Sequence, residues 1–141
     1  LWQVGKRYVD SVEKSFDTKS FSNISTMAFI KRMDLAYCVS DVVISRAGAL
    51  SISEITLVGK ASILIPSPNV SEDHQTKNAM ALVKNNAAIL VEDNNTDDVI
   101  IEAIKLLDDS KLCNSIAVNA KQLGKPNATQ DIVNEVFKLI N

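Results

Sequence analysis

The sequence of 141 residues has little of what marks membrane, metal-binding or nucleic-acid-binding proteins. No apolar run approaches the roughly 20 residues that a membrane-spanning helix needs. The only two cysteines, Cys38 and Cys113, lie far apart and fit no metal-ligand spacing. We expect both to be reduced packing residues of a cytosolic protein. The net charge of -2 argues against a nucleic-acid-binding surface.

The sequence also lacks internal repeats and low-complexity segments. Hydrophobic residues make up 46% and charged residues 23%, which is ordinary for a globular domain. The chain is long enough for one domain with its own core. It begins Leu1-Trp2-Gln3, apolar and without methionine. We therefore expect a fragment of a longer protein.

The most informative stretch is residues 41–75. An apolar run at residues 42–44 stops at Ser45-Arg46-Ala47-Gly48, and a helical pattern follows that Gly59 ends. A second apolar run then ends at Pro66. This order of strand, glycine turn, helix, glycine stop and strand predicts a βαβ unit.

The turn of this unit is predicted to bind an anionic ligand. Free backbone amides and the positive end of the helix dipole converge where the helix begins. The small residues Ala47, Gly48 and Ala49 would let a ligand approach the backbone closely.

Strands alternate with helices through the first two thirds of the chain, which predicts an α/β fold. We expect a Rossmann-like parallel sheet with helices on both faces and a helical carboxyl-terminal end. Ligands of such sheets bind beyond the carboxyl ends of the strands. The predicted strands are residues 1–4, 21–28, 41–45, 61–65 and 87–91. The predicted helices are residues 6–16, 33–39, 49–58, 74–84, 96–107, 110–123 and 129–140.

Two connections and one core stripe complete this prediction. A polar turn is predicted at residues 17–20, and a proline-directed loop at residues 66–73. We expect an apolar stripe from the second half of the chain to form the core; it comprises Leu82, Val83, Ile89, Val91, Ile100, Ile104 and Leu107.

The run of residues 45–54, SRAGALSISE, resembles the signature of the MurG family of N-acetylglucosaminyltransferases. The resemblance extends to WQVGK at residues 2–6, FIKRM at residues 29–33, Ile65-Pro66 and the stretch of residues 74–79, and it covers nearly the whole chain. It implies the GT-B arrangement of two Rossmann-like domains. Residues 1–141 would be the donor-binding carboxyl-terminal domain, without its first strand and first glycine-rich phosphate loop.

The resemblance implies UDP-N-acetylglucosamine as the donor and assigns it to named residues. Ile30 would present its backbone to the uracil, with Phe29 beside it. Backbone and hydroxyl groups at the helix start would bind the diphosphate and sugar. Glu54 would accept hydrogen bonds from the ribose hydroxyls. The sugar hydroxyls would be bound in the loop that Asn78 supports. The residues at the helix start are Ala49, Leu50 and Ser51; those meeting the sugar hydroxyls are His74 and Gln75. The family commonly has two adjacent glutamines where this chain has His74-Gln75.

The implied reaction is inverting transfer of N-acetylglucosamine to the lipid-linked muramoyl-pentapeptide precursor of peptidoglycan. Amides at a helix start can stabilise the leaving diphosphate, so we expect no cofactor and no metal; the chain lacks an Asp-x-Asp motif. The general base and the acceptor site are expected in an absent amino-terminal domain, so this fragment alone should be inactive. The resemblance implies a cytoplasmic protein, peripheral at the inner face of the bacterial plasma membrane through its full-length form.

Plainer interpretations remain open beside these roles. Ser51-x-x-Glu54 also matches a capping box, in which the two side chains serve only the helix start. Gly48 could be only a turn residue, and His74 only a surface residue at a helix start. Arg46 belongs either to a solvated rim or to the diphosphate site. Two other functions share the architecture: a UDP-sugar 2-epimerase-like domain and a non-catalytic nucleotide-sugar-binding module.

Overall fold

The computed structural model describes residues 1–15, 20–68 and 73–140. It divides into two compact units, Leu1–Ser40 and Asp41–Asn141, each with a sheet of parallel strands. The predicted α/β class is therefore confirmed. Three predicted features lie partly or wholly outside the described residues: the helix end at Phe16, most of the polar turn at residues 17–20, and the centre of the loop at residues 66–73.

The first unit contains two short strands and two short helices. Strand β1 (Trp2–Gln3) pairs in parallel with β2 (Thr26–Met27), and the helices are α1 (Val9–Ser15) and α2 (Met33–Val39). The prediction for α2 is confirmed, but the predicted strand at residues 21–28 is shortened because residues 21–24 form a turn closed by the Ile24 amide and the Phe21 carbonyl. The prediction that Cys38 is a packing residue is wrong, since its side chain is exposed.

The second unit holds a three-stranded sheet in the order β3-β4-β5. All three strands are parallel, and the register aligns Val42 with Ala61 and Ile63 with Ile89. Helices α5 and α6 pack against β4, and α6 also packs against α3. The elements are β3 (Val42–Arg46), α3 (Ala49–Val58), β4 (Ala61–Ile65), α4 (His74–Val83), β5 (Ile89–Leu90), α5 (Thr96–Asp108), α6 (Ser110–Leu123) and α7 (Ala128–Ile140).

The core of the second unit forms around β4. Four consecutive residues of this strand, from Ala61 to Leu64, are buried, as expected for the central strand of a parallel sheet covered by helices. The principal cluster contains Ala61, Ile63, Val91, Val99, Leu106 and Ile116. Removing these side chains from water supplies the main driving force that holds α5 and α6 on the sheet.

The predicted core stripe is only partly right. Leu82 and Val91 are buried, and Val83 and Ile89 are partly buried. On α5, however, Ile100, Ile104 and Leu107 are exposed, and the neighbouring stripe of Val99, Ala103 and Leu106 faces the core instead. Both stripes have the same helical spacing, so periodicity alone could not decide between them.

Strand β3 lies at one edge of the described three-stranded sheet. Strand β3 is hydrogen-bonded to β4 on one side, and no strand of the described chain is bonded to its other side. None of the described helices combines the length and apolar character required to cross a membrane.

Candidate functional site

The opening of α3 is the part of the second unit best suited to an anion. Gly48 is the N-cap residue, and the first helical hydrogen bond runs from the Ile52 amide to the Gly48 carbonyl at 3.0 Å. The amides of Ala49, Leu50 and Ser51 therefore precede the helical ladder, and no side chain caps them. The resemblance assigns these three residues to the diphosphate and sugar, and that role stays a prediction.

Gly48 keeps this opening clear without being needed for the backbone conformation. Its φ of -68° and ψ of 148° are extended and open to any residue. A methyl group at this position would lie 3.9 Å from Ser51 Oγ, which is ordinary van der Waals contact. Ala47 differs from Gly48 because its side chain is fully buried, so it packs against the protein rather than giving way to a ligand.

The helix boundary decides against the capping-box interpretation of Ser51 and Glu54. A capping box requires the serine to precede the helix, whereas α3 begins two residues before Ser51. Glu54 lies four residues after Leu50, so the two share a face of the helix that begins at the candidate site. Leu50 is 82% exposed at the very opening of the helix. Glu54 is thus on the same face of α3 as Leu50, about one turn further along the helix from the opening amides.

Two side chains of α4 join the loops at this edge of the sheet. Asn78 donates from Nδ2 to the Ala47 carbonyl at 3.3 Å, which ties α4 to the turn after β3. Gln75 accepts at Oε1 from the Ser67 amide at 2.9 Å, which ties α4 to the loop after β4. The carboxamide nitrogen of Gln75 is the part of the side chain that this bond leaves to a ligand. His74, the first residue of α4, is exposed and follows Asp73, whose φ of 55° is left-handed.

Arg46, the last residue of β3, lies across the ends of the other two strands. Its Nη1 donates to the Ile65 carbonyl at 3.4 Å and forms an ion pair with the Asp93 carboxylate. The alternative of a solvated rim residue agrees with the 53% exposure of this side chain, and a role at the diphosphate stays a prediction. The contact of Arg46 with Asp93 was not predicted. The arginine is bound to an acid that follows β5.

The uracil residues predicted from the resemblance lie in the first unit. Phe29 is 61% exposed, and Ile30 is partly buried. The Ile30 amide donates to Oε1 of Gln3 at 2.8 Å. A base carbonyl can reach this amide only by displacing the Gln3 carboxamide.

Comparison with known proteins bears on both units. Residues 1–136 match the glycosyltransferase family 28 C-terminal domain. The chain belongs to this family.

Several relatives of this family-28 domain are similar over its full length. It is 49% identical, over 100% of its residues, to UDP-N-acetylglucosamine--N-acetylmuramyl-(pentapeptide) pyrophosphoryl-undecaprenol N-acetylglucosamine transferase of Christiangramia forsetii. It is 48% identical, over 99% of its residues, to the protein of the same name from Flavobacterium psychrophilum. The chain spans 38% of the length of each.

A solved structure agrees with the fold of this family-28 domain. The crystal structure of Acinetobacter baumannii MurG superposes with a TM-score of 0.81 at 32% identity. The match covers 95% of this chain and 41% of that one. The likeness supports the Rossmann-like α/β class predicted from the order of strands and helices.

Sequence reasoning missed two residues next to the candidate groups. Asp93 was given no role, and Gln3 was named only as part of the resemblance, yet each bonds to a residue singled out for the site. Asp93 lies two residues after the predicted strand at residues 87–91, which was a usable signal because the carboxyl ends of parallel strands lie at one edge. No comparable signal pointed to Gln3.

Proposed function

We propose that this chain is the donor-binding domain of an inverting glycosyltransferase. In this proposal the full-length enzyme transfers N-acetylglucosamine from UDP-N-acetylglucosamine to a lipid-linked muramoyl-pentapeptide precursor of peptidoglycan. The domain supplies the nucleotide-sugar site. Membership of family 28 and the printed activities of the Christiangramia and Flavobacterium relatives support the reaction class.

The observation that carries the proposal is the uncapped start of α3. Three consecutive amides precede the helical ladder there, and Gly48 adds no side chain in front of them. A diphosphate brings two or more negative charges to the positive end of the helix dipole and accepts hydrogen bonds that the helix itself cannot use. Stabilisation of the departing UDP by these amides would lower the barrier to transfer without a bound cofactor.

The remaining contacts follow the assignments made from the resemblance. We assign the ribose hydroxyls to Glu54 and the sugar hydroxyls to His74 and the carboxamide nitrogen of Gln75. In the first unit, we assign the uracil to the backbone of Ile30, with Phe29 beside the base. Because the Ile30 amide is bonded to Gln3, a uracil oxygen can accept from this amide only if the Gln3 side chain moves.

The general base and the acceptor-binding surface belong, in this proposal, to the part of the enzyme outside this chain. The relatives are more than twice as long as the chain, which leaves room for a second domain of the GT-B pair. We propose that the full-length protein works at the inner face of the plasma membrane, where a lipid-linked acceptor is accessible. This domain alone should bind the donor and not catalyse transfer.

Amide chemical shifts provide the direct test. Titration of the ¹⁵N-labelled chain with UDP-N-acetylglucosamine should shift the signals of Ala49, Leu50 and Ser51, together with Glu54 and Ile30. UDP alone should shift the same set and leave the His74 and Gln75 signals unchanged, because it lacks the sugar. ADP is the matched control for UDP, since the two differ only in the base, and it should bind more weakly.

The start of α6 serves as an internal reference in the same spectra. Asp109 caps that helix by accepting from the amides of Lys111 and Leu112 at 3.1 and 3.0 Å. Its amides should not respond to any of these nucleotides. Shifts confined to regions other than α3 would overturn the proposal, as would measurable transfer by the purified chain.

A further inference from the structure

Arg46 and Asp93 form a bridge over the carboxyl end of the second sheet. Arg46 ends β3 and is in register with Ile65, the last residue of β4. Its guanidinium donates to the Ile65 carbonyl and to Asp93, which follows β5. Since β4 lies between β3 and β5, this one side chain spans all three strand ends.

Asp93 is itself held by the end of β5. The Val91 amide donates to the Leu64 carbonyl at 3.0 Å, so pairing with β4 continues to within two residues of Asp93. The following turn is closed by the Asn95 amide and the Glu92 carbonyl at 3.0 Å. The Asp93 side chain is 34% exposed, compared with 53% for Arg46. Asp93 is thus the less exposed partner of the ion pair, and its backbone is held between the pairing of β5 with β4 and the turn that follows.

The bridge is next to the turn from which α3 begins. Two consecutive residues are held there: Arg46 is bound to Asp93, and Ala47 is fully buried with its carbonyl accepting from Asn78. The next residue, Gly48, is the N-cap of α3. The direction of the three leading amides therefore depends on a turn that is tied to β5 and to α4.

The negative charge of Asp93 would by itself weaken diphosphate binding, so an effect of the opposite sign would show a positioning role. A carboxylate at this edge repels an anionic ligand, so removal of its charge should by itself increase affinity for a diphosphate. Its pairing with Arg46 also neutralises a guanidinium that could otherwise bind phosphate. An acid in this position weakens anion binding by simple electrostatics unless it improves the geometry of the amides.

We propose that Asp93 is a positioning residue of the nucleotide-sugar site: it holds Arg46 across β4 and thereby aims the opening amides of α3. The identity of the ligand rests on the proposed function above. The effect of Asp93 on the turn does not rest on the proposed function, because it is a property of the ligand-free protein.

Calorimetric titration with UDP tests the proposal through the sign of the effect. Asp93→Asn should weaken UDP binding by roughly three- to fivefold, the range that a half-exposed ion pair can supply. Asp93→Glu keeps the carboxylate and should recover most of the affinity. Glu92→Gln is the matched control, since it removes the same charge one residue away from the bridge; it should leave affinity unchanged or slightly raise it.

The Arg46 variants complete a double-mutant cycle. Arg46→Met should weaken UDP binding about as much as Asp93→Asn, and the double variant should be no weaker than either single variant. Tighter binding by Asp93→Asn would overturn the proposal, because it would mean that Asp93 acts only by repelling the diphosphate or by restraining an arginine that binds phosphate directly. Additive losses in the double variant would overturn it as well.

Spectra of the ligand-free protein separate this proposal from the proposed function. Asp93→Asn should shift the amide signals of Gly48, Ala49 and Leu50 without ligand, and Glu92→Gln should not. If wild-type protein fails to bind UDP, the proposed function fails while these spectra still decide whether Asp93 holds the turn. Unchanged signals at residues 48–50 in Asp93→Asn would overturn the positioning role even if UDP binds.

Discussion

The two ends of helix α3 differ in how their terminal backbone groups are capped. At its start, Gly48 offers no capping side chain, and the neighbouring Leu50 is 82% exposed. At its end, Gly59 takes a left-handed φ of 70°, and its amide and that of Lys60 both bond to the Ile55 carbonyl. Lys121 of α6 adds a bond from Nζ to the Leu57 carbonyl at 2.7 Å. The start of α3 leaves its first amides outside the helical ladder and uncapped, whereas the chain itself supplies hydrogen-bond partners at the other end.

We expect this difference to separate stability from binding within a single helix. The start of α3 is called its open end below, and the end at Gly59 its closed end. The closed end contains tight contacts: a Cβ on Gly124 would lie 2.8 Å from the Thr56 carbonyl oxygen, and one on Gly59 would lie 2.8 Å from Lys121 Cδ. The open end has room for a methyl group at Gly48. Substitutions at the closed end should therefore change the free energy of unfolding, and those at the open end should change affinity for the nucleotide.

The largest effect is expected for Gly48→Asp. The new carboxylate would cap α3 and occupy the amides assigned to the diphosphate, adding a like charge to the site. UDP binding should fall about 100-fold, equivalent to about 2.7 kcal/mol. The free energy of unfolding should stay equal or rise by about 0.5 kcal/mol.

Calorimetric titration and urea unfolding of the same Gly48→Asp sample measure both quantities. Gly48→Asn is the matched control, since it caps without the charge and should lose less affinity. Wild-type affinity in Gly48→Asp would remove the open end from the site altogether.

Gly124→Ala tests the closed end. The added methyl group meets backbone atoms of Thr56 and Leu57 that cannot rotate away, so α6 and α3 must separate locally. The free energy of unfolding should fall by about 2 kcal/mol, measured by circular dichroism in a urea series. Affinity of the folded protein for UDP should not change, and a selective loss of affinity with intact stability would contradict the division between the two ends.

Lys121→Met should have a smaller effect at the same end. Methionine retains much of the apolar stem that covers Gly59 but loses the hydrogen bond to Leu57 and the charge near the negative end of the helix dipole. We expect a loss of about 0.5–1 kcal/mol in the free energy of unfolding. Lys125→Met, an exposed lysine on the chain after α6, is the control and should be neutral in thermal melts.

The smallest effect concerns Cys113 of α6. Its thiol lies next to Asp41, the residue that precedes β3. Partial burial and the nearby Asp41 carboxylate raise the pKa of this thiol, with Lys60 acting in the opposite direction. A raised pKa means less thiolate at a given pH, so Cys113 should be alkylated more slowly than the exposed Cys38 at pH 7.5 and should catch up only as the pH rises.

Mass spectrometry after timed iodoacetamide treatment of the folded chain gives the two cysteine rates. Asp41→Asn removes the charge with little change in burial, so it should lower the pKa of Cys113 and speed its reaction. Equal rates for both cysteines in the wild type would show that the packing around α6 is looser than described.

Sequence reasoning succeeded where one residue type dictates one local structure. Gly59 ends α3, as predicted, because its left-handed conformation favours glycine. The βαβ unit was predictable because apolar runs, glycine turns and helical spacing all gave the same answer. The start of α3 as an anion site followed from that order alone, and its residues remain a prediction to be tested.

Sequence reasoning failed where the outcome depends on packing between elements. Helix α5 carries two apolar stripes one residue apart, and contacts with the sheet and α6 decide that Val99 and Leu106 rather than Ile100 and Leu107 are buried. The partnership of Arg46 and Asp93, 47 residues apart, depends on the order of three strands. No local pattern in a single sequence contains that order.

Strand β3 has a practical consequence for work with this chain. It is bonded to β4 alone among the described strands, and Ile44 in its centre is 46% exposed. A row of main-chain donors and acceptors beside an apolar side chain is a template on which a second copy can add its own strand. Oligomers that grow with protein concentration would then compete with nucleotide measurements, and dilute samples checked by light scattering avoid the problem.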